Sequence, residues 1–360
     1  MPSVMPIFGT RPEAIKMAPI VSAFKESAEF DCIVTVTGQH REMLDQVNEL
    51  FGIEPDHDLN ILQQRQSLSA IMTRTIDGLD ELFAEKKPDA VIVQGDTTTS
   101  TAGAIAAFYH GIPVVHVEAG LRSGDLFSPF PEEANRKITS QIASLHLAPT
   151  STSKANLLSE GIAEEDIVVT GNSVIDALLT TVDKEIPFRD PQLEELATSG
   201  RRILLVTTHR RENQGDTMLL PAHKNPAVRE AVLPALEGKE NVLVTEPLAY
   251  GEFTRLLSVA HIVLTDSGGV QEEAPSLGKP VLVMRDNTER PEAVHAGTVA
   301  LIGTDEETIV KEVDRLLNQQ DAFDAMANAV NPYGDGKAAE RTIAAVAQLL
   351  GVGTRIADFA

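Results

Sequence analysis

The chain has 360 residues, of which 42% are apolar, and 53 acidic against 30 basic side chains give it a formal charge of −23. That length exceeds one ordinary core and suits two domains, while the acidic excess argues against non-specific binding to nucleic acid or anionic membrane, which rely on basic patches. A single cysteine, Cys32, excludes an intrachain disulfide and a cysteine-based metal cluster, and 4% aromatic residues with no Trp leave little to stack single-stranded nucleic acid. No apolar run approaches the roughly 20 residues of a membrane span, and no signal peptide is expected ahead of the first strand, so the location expected is the cytoplasm.

Short apolar runs alternate with helical patterns along the whole chain. In the first half the expected strands are "VMPIFG", "CIVTVTG", "AVIVQGD", "PVVHVEAG", "LHLAPT" and "IVVTGN". In the second half they are "RILLVTTHR", "TMLLPAH", "NVLVTEPL", "HIVLTDSGG", "PVLVMRD" and "VALIGT". Unbroken Val/Ile/Leu runs mark strands covered on both faces, and their alternation with helices implies parallel sheets. The fold class expected is α/β, with two Rossmann-like domains whose ligand sites lie beyond the carboxyl ends of the strands.

The domains expected are residues 1–182 and 183–345, joined near the charged, Pro-containing "DKEIPFRDPQ", with residues 346–360 forming a C-terminal helix that returns to the first domain. Pro6 is awkward in the first strand, since a central strand should not lack an N–H; a bulge or a place near the strand start is expected. Between "HRRENQG" and "TMLLPAHKNP" only Asp216 intervenes. Parallel neighbours need a crossover of about a dozen residues or more, so a helix is expected to be missing between Gly215 and Thr217, either left out of this sequence or deleted from the protein.

The polar motifs follow strands. In "FGTRPEAIKMAPI", Thr10 and Pro12 suit a helix start, with Arg11 at its mouth and Lys16 one turn inside; the pair reads as phosphate contacts or as solvated cations. "VIVQGDTTT" places Asp96 at a strand end. "VHVEAGLRSGDLFSPFPEEANR" places Glu118 at the next, then a Gly- and Pro-rich loop with Arg122 and Asp125, then the pair Glu132 and Glu133. Several acids on one edge of one sheet point to acid–base chemistry. "TTHRREN" puts His209, Arg210 and Arg211 at the first strand end of the second domain, which suits a pyrophosphate or an exposed basic turn.

"DSGGVQEEAPSLGKPVLVMRD" runs from a buried strand into a helix expected to start near Gly269. Backbone N–H groups at such a start hold anions, and a carboxylate one turn in accepts bonds from hydroxyls. A ligand with phosphate and sugar, a nucleotide, fits both. No short His or Asp spacing supports a metal, and there is neither a Walker loop nor a GxGxxG fingerprint.

Taken together, "FGTRPEAIKMAP", "QHREMLDQV", "GDTTT", "HVEAGLRSGD", "PFPEEANR", "GNSVIDAL", "HRREN", "DSGGVQEEAPSLGKPVLVMRD", "TERPEAV", "GTVALIGTD" and "NPYGDG" resemble the non-hydrolysing UDP-N-acetylglucosamine 2-epimerases from about residue 4 to about residue 350. The resemblance implies the GT-B architecture, two Rossmann-like domains about a cleft. It also implies interconversion of UDP-N-acetylglucosamine and UDP-N-acetylmannosamine without metal or added cofactor, by eliminating UDP to a 2-acetamidoglucal and re-adding it.

It further implies that Ser267, Gly268 and Gly269 hold the diphosphate, that Glu273 takes the ribose hydroxyls, and that Leu248 and Phe253 lie on the uracil side. Arg11, Lys16, His209 and Arg290 match positions that contact the nucleotide or help it leave, and Asp96, Glu118 and Glu132 match the carboxylates around the sugar. Gln39, Glu42, Arg65 and His223 fall on segments matching a regulatory second UDP-N-acetylglucosamine, with Glu42 where the family pattern has Gln. A homodimer serving cell-envelope polysaccharide synthesis is implied as well. The rival readings are a GT-B glycosyltransferase, a hydrolysing epimerase and a non-catalytic sugar-nucleotide sensor.

Overall fold

The computed structural model describes residues 1–38, 41–63, 66–207, 219–221, 239, 241–288 and 290–360; of residues 41–43 and 219–221 it describes the backbone alone. The expectations for Gln39, Arg65, His209, Arg210, Arg211 and His223, and for the short stretch around Asp216, lie outside the described residues, as does the side chain of Glu42.

The described strands are β1 (Ser3–Phe8), β2 (Asp31–Cys32), β3 (Thr35–Val36), β4 (His57–Asp58), β5 (Ala90–Gln94), β6 (Val114–Val117), β7 (Leu145–Ala148) and β8 (Ile167–Val169). They continue with β9 (Leu204–Thr207), β10 (Leu219–Pro221), β11 (Leu243–Thr245), β12 (Ile262–Thr265), β13 (Val281–Val283) and β14 (Val299–Leu301). Two sheets result, in the orders β4-β3-β1-β5-β6-β7-β8, with β2 also on β1, and β11-β10-β9-β12-β13-β14. Every pairing is parallel. The second order is that of a doubly wound Rossmann sheet, and the first shares its reversal, so the strand order turns between β1 and β5 and again between β9 and β12. The unbroken apolar runs explain the choice: β5 reads Ala-Val-Ile-Val-Gln and is buried throughout, as a strand covered by helices on both faces must be.

Two compact units are present, Met1–Ala177 with Gly334–Ala360, and Leu178–Tyr333. The first has its core on Met5, Ile7, Val91 and Val93 against Leu79, Phe83 and the small residues Ala104, Ala106 and Ala107. The second is built on Leu205, Val263, Val281 and Val283, which pack against Leu256, Leu257 and Ala274. The last helix, Ala338–Leu349, belongs to the first unit and packs on the helix Arg11–Glu26. Its start is held by Asp176, whose buried carboxylate accepts from the N–H groups of Ala338 at 3.2 Å and Ala339 at 2.9 Å. No helix among the described residues is long and apolar enough to cross a membrane.

Pro6 sits neither at a bulge nor at the strand start. It lies in mid-strand with Ile92 of β5 as its partner. The explanation is on the other side. Ser3 C=O accepts from Asp89 on the β5 side, while Val4 C=O accepts from Ile33 on the β2 side. Alternate residues face alternate neighbours in a parallel strand, so Pro6 shares the side of Val4. There the expected single strand "CIVTVTG" is broken into β2 and β3, between Cys32 and Thr35. The ladder is open where proline has no N–H to give.

Candidate functional site

The reversal point of the first sheet lies between β1 and β5, and the residues following those strands cluster there. β1 ends in Gly9 and Thr10, and Thr10 caps the helix Arg11–Glu26 in a full capping box with Glu13. Arg11 is half-buried at the mouth of that helix, with no partner among the described residues. Lys16, one turn in, ion-pairs with the Glu118 carboxylate.

Glu118 follows β6 and is held from three directions: by Lys16, by the Gln94 amide at the end of β5, and by the Asn172 amide at 3.1 Å. Its backbone lies in the left-handed region at φ 63°, a strained place for a residue with a β-carbon. Asp96 follows β5; Arg136 grips its carboxylate at 2.9 Å from Nε and 2.6 Å from Nη2. Asn135 donates to its main-chain oxygen at 2.8 Å. Glu132 and Glu133 open the helix Glu132–Ile142. Glu133 is fully buried and accepts from the Ser123 N–H at 3.0 Å and from Arg136 at 3.2 Å, whereas Glu132 is half-buried and has no partner among the described residues.

Arg122 turns away from this set. Its guanidinium makes a two-point pair with Glu160 at 2.8 and 2.7 Å, and also reaches Ser140 at 2.9 Å, which ties the loop down. Asp125 is spent within its own turn, accepting from the Phe127 N–H at 2.9 Å. Behind the Asp96 turn lies His116, fully buried, with Nε2 2.8 Å from the Gly95 carbonyl. That carbonyl can only accept, so Nε2 carries the proton. Burial pushes the ring down to about 4, which keeps it neutral.

The second unit repeats the plan at its own reversal point. β12 runs into Asp266 and Ser267, and Ser267 is the N-cap of the helix Gly268–Ser276 without a side-chain cap bond. Gly269 is exposed, so the first turn presents bare backbone. The Arg290 guanidinium lies over this helix start: a β-carbon on Gly268 would come within 2.6 Å of Nη1 and 2.8 Å of Cζ. Arg290 is aimed by an ion pair with Glu272 and by its own N–H to Thr288 at 3.1 Å, and Thr288 in turn donates to Gln271 at 2.8 Å. Glu273, one turn in, is 8% exposed and accepts from the Tyr250 hydroxyl at 3.4 Å. Leu248 and Phe253 pack half-buried against the core of this unit, just before and within the helix Tyr250–Val259.

Thus Arg11, Lys16, Asp96, Glu118 and Glu132 gather at one strand edge, and Ser267, Gly268, Gly269, Glu273 and Arg290 at the other. The sequence reading missed Glu13, Gln94, Asn172 and Arg136, and it missed Gln271, Thr288 and Tyr250. The Thr10-x-x-Glu13 spacing carried a signal for the first; the rest are contacts distant in sequence. No group of three or more His, Cys, Asp and Glu among the described residues is placed to hold a metal. The first edge gathers cations and carboxylates, and the second a bare helix start beside a guanidinium and a buried carboxylate.

The family model described as UDP-N-acetylglucosamine 2-epimerase matches residues 22–347. The UDP-N-acetylglucosamine 2-epimerase of Escherichia coli (strain K12) is 51% identical, covering 95% of this chain and 98% of its own; that alignment runs over 368 positions, more than the 360 residues here, so the relative holds residues with no counterpart in this chain. The enzyme of the same name from Bacillus subtilis (strain 168) is 51% identical over 94% of this chain and 93% of its own. The crystal structure of UDP-GlcNAc 2-epimerase from Neisseria meningitidis bound to UDP-GlcNAc has a TM-score of 0.89 at 44% identity, covering 96% of this chain and 100% of that one. With the two parallel Rossmann-like sheets and the strand-end residues described above, these matches show that the chain belongs to the UDP-N-acetylglucosamine 2-epimerase family.

Proposed function

We propose that this chain interconverts UDP-N-acetylglucosamine and UDP-N-acetylmannosamine by the non-hydrolysing route. The observation that carries the reading is the edge of the first sheet, where Asp96 and Glu118 follow adjacent strands, each held by a cation, with Glu132 nearby in the chain. A carboxylate takes the proton from carbon 2, its electron pair forms the carbon 1–carbon 2 double bond, and the bond from carbon 1 to the diphosphate oxygen breaks. Arg11, Lys16, His209 and Arg290 are assigned to the charge that departs with UDP. Return of a proton to the opposite face of carbon 2 and re-addition of UDP at carbon 1 complete the inversion, with no cofactor in the balance. Keeping the glucal from water is part of the task.

The first unit is assigned the sugar chemistry and the second the nucleotide, with Ser267, Gly268 and Gly269 on the diphosphate, Glu273 on the ribose, and Leu248 and Phe253 towards uracil. Residues 346–360 are assigned to the first domain. Gln39, Glu42, Arg65 and His223 are assigned to a regulatory nucleotide, and the enzyme to a cytoplasmic homodimer.

An NMR time course with UDP-N-acetylglucosamine in deuterated water tests the reading. Expected is UDP-N-acetylmannosamine with deuterium at carbon 2, formed without an acceptor. Asp96→Asn, Glu118→Gln and Glu132→Gln should each slow turnover by about 10²–10⁴ where the residue moves a proton. Free N-acetylmannosamine plus UDP points to a hydrolysing enzyme, and inert substrate to a transferase or a sensor. Product without deuterium points to transient oxidation at a neighbouring carbon.

A further inference from the structure

We infer that Glu13 is a positioning residue which locks the Arg11 helix entrance to the Asp96 turn. Its carboxylate is 1% exposed. One oxygen, Oε2, accepts from the N–H groups of Gly9 at 3.0 Å and Thr10 at 2.8 Å. That much is the return half of a capping box, and it serves only the helix that Glu13 belongs to.

The other oxygen does something the box does not need. Oε1 accepts from the Thr97 hydroxyl at 2.7 Å. Thr97 is the residue after Asp96 and is the N-cap of the next helix, Thr98–Tyr109, where its hydroxyl also accepts from the Ser100 N–H at 3.0 Å. Thr10 immediately precedes Arg11. One buried carboxylate therefore joins the starts of two helices, and each start carries a proposed functional side chain on the residue beside the bonded one.

The placement follows from topology. β1 and β5 are parallel neighbours at the reversal point of the sheet, so their following turns lie side by side and their helices depart in different directions. Backbone pairing stops at the strand ends, and nothing in the ladders fixes the separation of the two turns. Glu13 fixes it through hydrogen bonds in a setting where solvent cannot substitute for them. Burial raises its affinity for a proton, and the bonds from Thr97, Gly9 and Thr10 act the other way. The Gly9 end cannot drift outward freely either, because it lies against Thr37: a β-carbon there would meet the Thr37 hydroxyl at 1.9 Å.

This inference rests on the epimerase reading. The test is a double-mutant cycle on turnover of UDP-N-acetylglucosamine with full-length protein, assayed well below each variant's melting temperature. Misplacing a catalytic group by about 1 Å costs on the order of 10²-fold, so Glu13→Ala and Thr97→Val should each lower kcat by about 10- to 100-fold. The double variant should be no slower than the slower single one, because both remove the same bond.

Glu13→Gln should stay within about threefold of wild type, since its amide oxygen serves Gly9 and Thr10 while its NH₂ donates to Thr97 Oγ1. Thr97→Ser should do likewise. If Glu13→Ala does not fold, Thr97→Val against Thr97→Ser still reads the bond. Full kcat in Thr97→Val, multiplied losses in the double variant, or a folded Glu13→Gln as slow as Glu13→Ala would overturn the inference. Absence of UDP-N-acetylmannosamine with the wild-type protein would instead overturn the epimerase reading beneath it.

Discussion

Replacing Gly268 by Ala separates the stability of the second unit from its capacity to hold a diphosphate. Gly268 is the first residue of its helix and lies outside the left-handed region, so its backbone suits any residue. Ala there restricts the unfolded chain and favours the helix, worth about 0.4–1 kcal/mol. The new β-carbon would sit 2.6 Å from Arg290 Nη1, 2.8 Å from Cζ and 3.1 Å from Nη2. Those atoms end a flexible side chain, so the guanidinium moves rather than the backbone, and its half-buried bond to Glu272 is weakened. Gain and loss nearly offset, and the unfolding free energy from urea titration should shift by less than about 1 kcal/mol.

Ligand binding has no such offset. Losing one charge-assisted hydrogen bond from Arg290 to a phosphate costs about 1.5–3 kcal/mol, or roughly 10- to 150-fold in Kd for UDP. Calorimetry with UDP reads this directly. In an Arg290→Ala background the same substitution should add almost nothing, because the group it displaces is already gone. A folded Gly268→Ala protein that binds UDP within about twofold of wild type would refute the reasoning and take the diphosphate away from this helix start.

Three further outcomes are expected. Glu273→Ala should weaken UDP binding by about 1–3 kcal/mol in calorimetry without moving the thermal midpoint in proportion. Burial pushes the rings of His116 and His146 down to about 4 and about 3. The unfolded chain then binds more protons below its ordinary value of about 6.5, so stability is full above that pH and falls as pH drops towards those values. The slope is at most about 1.4 kcal/mol per pH unit for each ring, and urea titrations of His146→Gln should show it flattened. The Arg122 guanidinium, with Lys137 assisting against partial burial, holds Glu160 down at about 2. The stability this gives is present above about 4.5 and is lost as pH falls towards 2, and in Arg122→Ala that acid-side loss should shrink in urea unfolding, leaving the part that Lys137 supplies.

The strands were legible because a parallel sheet buried on both faces needs unbroken apolar runs, and "AVIVQ", "VVHV" and "IVLT" have no other use. What failed was continuity. "CIVTVTG" reads as one strand, and only the proline in its neighbour explains the break between β2 and β3. β4, two residues long and with no apolar run, gave no signal of its own. Strand-end residues were legible for the same reason as the strands, since a parallel sheet delivers the turn after each strand to one edge.

Partners were not legible. Arg136 reaches Asp96 across 40 positions, and Asn172 reaches Glu118 across 54. Such contacts follow from which strands are neighbours, and spacing along the chain does not reveal them. Arg122 shows the converse: it sits in a motif-rich loop, yet Glu160, 38 positions on, takes it out of the site. The Thr10–Glu13 capping box was legible in its local half alone, because the bond to Thr97 spans 84 positions.

Glu118 combines two features that are costly apart and informative together. It lies at φ 63°, where a β-carbon crowds the backbone, and that conformation costs a non-glycine residue about 1–2 kcal/mol. Three side chains converge on its carboxylate, from Lys16, Gln94 and Asn172. Those bonds stabilise the strained backbone, since they hold the carboxylate only where the turn leaves it. Removing the side chain exposes the strain. Glycine is normally less stable than alanine by about 0.5–1 kcal/mol where the backbone is regular. At residue 118 the order should reverse, with Glu118→Gly more stable than Glu118→Ala by about 1 kcal/mol in urea unfolding and both variants equally deficient in turnover. An alanine variant at least as stable as the glycine one would show that the turn carries no strain, and that the carboxylate alone accounts for a glutamate there.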